Sequence, residues 1–85
     1  MTVVKVRLFA ALRELAGASE VEAEADTVAE VIEVLSARYG ERFSRIVEVG
    51  SAVVDGERVD RDTVMTDGQE VALLPPVSGG VGSAS

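Results

Sequence analysis

From Val3 to Leu8 the chain alternates, with Val4, Val6 and Leu8 on one side and Lys5 and Arg7 on the other. Alternation at a period of two predicts a strand with one face buried and one in water. The period then changes. Leu12, Leu15 and Ala16 sit at helical spacing and Gly17 follows them, so Phe9 to Ala16 predicts a short helix closed by a left-handed glycine. Ser19 to Ala25 returns to a period of two, with Glu20, Glu22 and Glu24 against Val21, Ala23 and Ala25. Acids in that pattern make a solvated strand face, not a metal cluster.

The clearest helix starts at Thr27. Thr27 and Glu30 have the spacing of a capping box, in which each side chain satisfies a free backbone N–H of the first turn. Val28, Val31, Ile32, Leu35 and Tyr39 then form one continuous apolar stripe, and Gly40 closes it. The segment from Glu41 to Gly50 is ambiguous; Phe43, Ile46 and Val47 suit a short helical turn on the core. Ser51 to Val54 reads as a strand, Asp55-Gly56 as a two-residue hairpin turn, and the chain through Val59 as the returning strand. Thr66-Asp67-Gly68 is a further turn that feeds a last strand, Glu70 to Leu74. The order of elements predicts an α+β domain in which one main helix covers one face of a mixed sheet of about four or five strands. The body is expected over residues 1–76 and a C-terminal tail over 77–85.

Composition narrows the chemistry. Of 85 residues, 47% are apolar, enough for a core. The formal charge of −7 argues against nucleic acid or an anionic membrane as partner, since both call for a basic face. With no cysteine and no histidine, the chain lacks a thiolate nucleophile, a zinc–thiolate site and the commonest general base. No apolar run long enough to span a bilayer appears and no signal-like segment follows Met1, so a cytoplasmic domain is expected. Asp60, Asp62 and Asp67 are scattered over turns, where local hydrogen bonding explains them better than calcium. Arg13, Glu14, Arg58, Arg61 and the lone lysine, Lys5, read as solvated positions.

What remains is the tail. Leu73-Leu74 runs into Pro75-Pro76-Val77-Ser78-Gly79-Gly80, and Val81-Gly82-Ser83-Ala84-Ser85 follows. The prolines stop the strand and hold the chain extended. The glycines remove every side chain from the tip. From Pro75 to Gly80 such a segment reaches roughly 20 Å, enough to enter a narrow channel in another protein. A frayed chain end is the plain alternative. A phosphate-cradling loop is not, because no helix and no lysine follow the glycines.

Leu8-Phe9-Ala10-Ala11-Leu12-Arg13-Glu14-Leu15-Ala16-Gly17 resembles the strand-to-helix segment of the MoaD/ThiS-type sulfur carriers, and the stretch from Asp62 to Gly80 resembles their last strand and tail. Within that family, Pro-Pro-Val-Ser-Gly-Gly is most similar to the ending of the small subunit of molybdopterin synthase. The resemblance implies a ubiquitin-like β-grasp fold. It implies that a ubiquitin-activating-type adenylyltransferase uses ATP to adenylate the carboxylate of Gly80. Sulfur then replaces one oxygen, and the thiocarboxylate enters the large subunit of molybdopterin synthase. Gly79 and Gly80 would carry the chemistry. Phe9, Leu73, Leu74, Pro75, Pro76, Val77 and Ser78 would touch the partner, and no cofactor or metal would be bound. For Phe9 the alternative is a ring turned into the core at the helix start. The free chain is expected to be a monomer and the bound one part of a hetero-oligomer.

The chain departs from the family pattern in one respect. Gly80 is followed by five residues, Val81 to Ser85, and a peptide-bonded glycine has no carboxylate to activate. Trimming by a protease, loss of carrier activity, or a dispensable extension left by a small difference at the stop codon are the consequences open. Alternative readings are a carrier delivering sulfur to thiamin, cysteine or another metabolite, a covalent protein modifier, or a non-catalytic β-grasp interaction module.

Overall fold

The computed structural model describes residues 1–76. Strand β1 spans Val3–Leu8, helix α1 Ala10–Ala16, β2 Glu20–Glu24, α2 Val28–Tyr39, α3 Glu41–Val49, β3 Ser51–Val54, β4 Glu57–Val59 and β5 Glu70–Leu74. The strands form one sheet in the order β2-β1-β5-β3-β4. β1 and β5, which come from opposite ends of the body, lie side by side and parallel, and the other pairs are antiparallel. Two antiparallel pairs, β1–β2 and β3–β4, flank β5, which runs parallel to β1, and with helices on one face this makes the β-grasp arrangement.

The register sets the core. Val6 pairs with Val71 and Leu8 with Leu73, so two apolar rows face the same way. They meet the inner stripe of α2. Val4, Val6, Leu8, Val28, Val31, Leu35, Val71 and Leu73 are all fully buried. At roughly 1.5–3 kcal/mol per large side chain removed from water, these rows are the main stabilising term.

Local chemistry explains the boundaries. Thr27 caps α2: its hydroxyl accepts from the Glu30 N–H at 3.2 Å. Glu30 does not complete the box on Thr27. Its carboxylate accepts from the Asp26 N–H at 2.8 Å, one residue earlier. Thr27→Ala should therefore cost about 1 kcal/mol, read as a lower urea midpoint with an unchanged slope. Asp55 and Gly56 both have positive φ, 55° and 82°, the requirement of the tight hairpin turn that joins β3 to β4. The Thr66–Gln69 turn clips the start of β1, since Asp67 accepts from the Val3 N–H at 2.9 Å.

The segment after Gly40 forms more than the expected turn. It is a full helix, α3, with Phe43 and Val47 buried. Phe43 packs on Tyr39 with ring centroids 5.3 Å apart, and that contact fixes the corner between α2 and α3. The domain thus has a second substantial helix beside the one expected.

Candidate functional site

The helices cover one face of the sheet and leave the other open. On the open face the strands align residues in rows. One row runs Glu20, Arg7, Ala72, Val53, Arg58 from β2 to β4, and the next begins Glu22, Lys5, Glu70. The β2–β1 half is a ladder of alternating charge, with Arg7 Nη1 3.8 Å from Glu70 Oε2. The half over β5 and β3 carries Ala72, Val53 and Leu74 instead. On this face the apolar side chains gather in the half where the chain leaves the sheet.

That exit is built from distant parts of the sequence. β5 ends at Leu74, whose partner across the sheet is Ser51. Pro75 and Pro76 follow and, having no N–H, cannot extend the ladder. An open groove of about 760 Å³ lies here, lined by Ala10, Val49, Ser51, Val53, Arg58, Leu74, Pro75 and Pro76. Val49, at the end of α3, is 67% exposed, a large apolar side chain with nothing covering it. Gly50 follows Val49 and packs against the end of β5. A Cβ on Gly50 would overlap the Leu74 carbonyl oxygen and lie 3.1 Å from the Ile46 carbonyl oxygen. Only a glycine lets the α3–β3 junction pass this close to the end of β5.

The expected partner-contact residues fall into three groups. Leu74 and Pro75 are half-buried and Pro76 is exposed, all on the groove. Phe9 is 38% exposed. Its backbone is extended (φ −127°, ψ 150°), so the strand alternation carries through it and the ring sits on the Arg7 side rather than in the core. Leu73 is a correction. It is fully buried, because its pairing with Leu8 and Ala52 turns it toward the helices, and its side chain offers nothing to a partner. Val77, Ser78, Gly79 and Gly80 lie outside the described residues.

Ala10, Val49, Val53 and Arg58 were not singled out as site residues by the sequence. Only their convergence in space marks them, although the apolar Val49 directly before a glycine was a faint signal. Among the described residues no group of potential metal ligands gathers, and no helix is long and apolar enough to cross a membrane. The described surface presents a ledge and an exit.

Known proteins share the sequence pattern and the fold. Residues 6–80 match the ThiS family, nearly the whole chain and including both terminal glycines of the motif. The chain belongs to the ThiS family. The molybdopterin synthase sulfur carrier subunit of Escherichia coli is 42% identical over 81 residues, covering 91% of this chain and 99% of that protein. The small archaeal modifier protein 1 of Methanosarcina acetivorans superposes with a TM-score of 0.82 at 31% identity, covering 94% of this chain and 98% of that one. A chain of the Helicobacter pylori complex of subunits 1 and 2 of molybdopterin-converting factor superposes with a TM-score of 0.68 at 26% identity, covering 93% of this chain and all of that one. This ThiS-family protein is thus a sulfur carrier of the MoaD/ThiS type with a ubiquitin-like β-grasp fold, similar to the small subunit of molybdopterin synthase.

Proposed function

We propose that this protein is the sulfur-donating small subunit of a molybdopterin synthase and works in the cytoplasm after its chain has been cut between Gly80 and Val81. The observation that carries the reading is the join of two features. A family match runs through Gly80, and Pro75-Pro76 leaves the sheet beside an uncovered apolar groove.

The chemistry proceeds in order. Hydrolysis of the Gly80–Val81 peptide adds water and frees the Gly80 carboxylate. That carboxylate attacks the α-phosphate of ATP on a ubiquitin-activating-type adenylyltransferase; pyrophosphate leaves and an acyl adenylate forms. Hydrosulfide, as the sulfur nucleophile, attacks the acyl carbon and displaces AMP, leaving a thiocarboxylate. The large subunit then supplies the site where sulfur passes to a pterin precursor. This chain's own residues bind and aim. Phe9, Leu74, Pro75 and Pro76 dock the body, the prolines limit the entropy lost on insertion, and Val77 and Ser78 lead Gly79 and Gly80 into the channel. Gly79 contributes slimness. No bound cofactor takes part on this chain.

The intact mass of the protein purified from its own host tests this. The expected species ends at Gly80, with a fraction carrying sulfur in place of one oxygen. A population retaining Val81 throughout, never sulfurated, overturns it. The likeness to an archaeal modifier protein supports a second reading, in which activated Gly80 forms an amide with a lysine of another protein. The same measurement would then show a larger adduct.

A further inference from the structure

The tail-exit groove has apolar walls and a single charged residue, Arg58. Its place in this groove sets it apart rather than its being unpaired, since Arg13, Arg38, Arg42 and Arg61 also make no ion pair among the described residues. Lys5 and Arg7 share the same sheet face but stand in rows with Glu22, Glu20 and Glu70, and Arg45 pairs with Glu41 at 3.4 Å. No carboxylate among the described residues lies within ion-pair distance of Arg58. Residues 77–85 contain no acidic side chain either. Yet the guanidinium is held in place: Nη2 donates to the Ser51 hydroxyl at 3.0 Å, and Ser51 is the residue paired with Leu74. An oriented cation is thus fixed at the root of the tail, on a protein whose net charge is −7.

We infer that Arg58 is a specificity-determining residue of the docking surface, and that the partner receiving the tail presents an apolar side chain to the groove and a carboxylate to Arg58. The inference rests on the proposed function and names the chemistry of its partner. Arg58 lies at the end of the row Ala72, Val53, Arg58, so the carboxylate belongs at the margin of the contact while the apolar side chain sits between Val53, Val49 and Leu74. An interface so arranged gains both attraction and register. The apolar ledge holds any greasy surface weakly, and the charge selects the one whose acid falls in place. In an acidic carrier the same cation also discriminates. A partner broadly basic enough to be drawn by the net charge still fails to seat if it brings a lysine or arginine to this point.

The test uses the chain ending at Gly80 and the molybdopterin synthase large subunit of the same organism, with affinity and association rate measured at low and at physiological salt. Arg58→Gln should weaken binding about tenfold and Arg58→Glu by more, chiefly through slower association, and both should flatten the salt dependence. Arg58→Lys should recover part of the loss. Arg42→Glu, on the exposed surface of α3, changes the net charge by as much as Arg58→Glu and should leave affinity within about twofold, the scale expected for a charge outside the contact. Equal losses in Arg42→Glu and Arg58→Glu would show that overall charge, not a carboxylate opposite residue 58, governs binding, and would overturn the inference. So would wild-type affinity in Arg58→Glu. If the wild-type chain itself does not bind the large subunit, the proposed function fails and the inference with it.

Discussion

A chain ending at Gly80 will be adenylated, and the same chain continuing through Ser85 will not. In the longer chain the carbonyl of Gly80 belongs to a peptide bond with Val81. Its oxygen is tied up in amide resonance, and residue 80 offers no carboxylate to attack ATP; the α-carboxylate of that chain sits on Ser85, five residues past the glycine pair. The difference is one of reactive group, so the expected effect is complete loss of ATP–pyrophosphate exchange. The body should be the same in both chains, since the described core is built from residues within 1–76. Unfolding transitions should therefore coincide, which separates lost chemistry from lost fold. Gly80→Ala in the short chain tests the tip itself. It keeps the carboxylate but adds a methyl where the channel must close around bare backbone, and a well-packed site resists such an addition by about 1–3 kcal/mol. Exchange should fall by about 5- to 150-fold at that cost. Equal exchange by the chains ending at Gly80 and at Ser85 would show that Gly80 is not the activated residue.

The parts of this molecule that were legible in its sequence are those governed by neighbours in the chain. Val4, Val6 and Leu8 alternate with Lys5 and Arg7, and the strand follows the alternation. Thr27 and Glu30 mark the start of α2, although the Glu30 carboxylate reaches past Thr27 to Asp26. Asp55-Gly56 marks the hairpin because both residues need a backbone that few others adopt readily. The failures have a common cause. Alternation along β5 told that Val71 and Leu73 share a face but not which face, and only the parallel pairing with Val6 and Leu8 decides it. That pairing joins segments more than sixty residues apart, and no local spacing encodes it. Likewise Glu41 to Val49 carries few apolar positions, and its helix depends on Phe43 finding Tyr39 and the core. The groove draws on α1, α3, β3, β4 and the end of β5, so none of its members forms a motif with the next.

Gly50 tests that non-local construction most directly, and Gly50→Ala should be among the most damaging single substitutions in the body. The reason is contact rather than backbone conformation: φ at Gly50 is −93°, which any residue adopts. The added Cβ would overlap the Leu74 carbonyl oxygen and crowd that of Ile46. Both are backbone atoms, so no side-chain rotation relieves the clash, and either β3 or β5 must move. Overpacking of this kind costs about 1–3 kcal/mol and occasionally more. For a domain of this size each kcal/mol lowers Tm by about 4–8 °C, so a fall of roughly 10–20 °C is expected. Gly17 supplies the contrast. It has φ 76° and open space around its Cβ, so Gly17→Ala strains only the backbone, at about 1–2 kcal/mol. If contact dominates, Gly50→Ala will be the more destabilising of the two in urea. In the chain ending at Gly80 it will also lower sulfur transfer at temperatures where the protein remains folded, because the strand end that aims Pro75 and Pro76 has been pushed aside. Transfer at the wild-type rate by folded Gly50→Ala protein would mean that the tail finds its channel whatever direction it takes from the sheet.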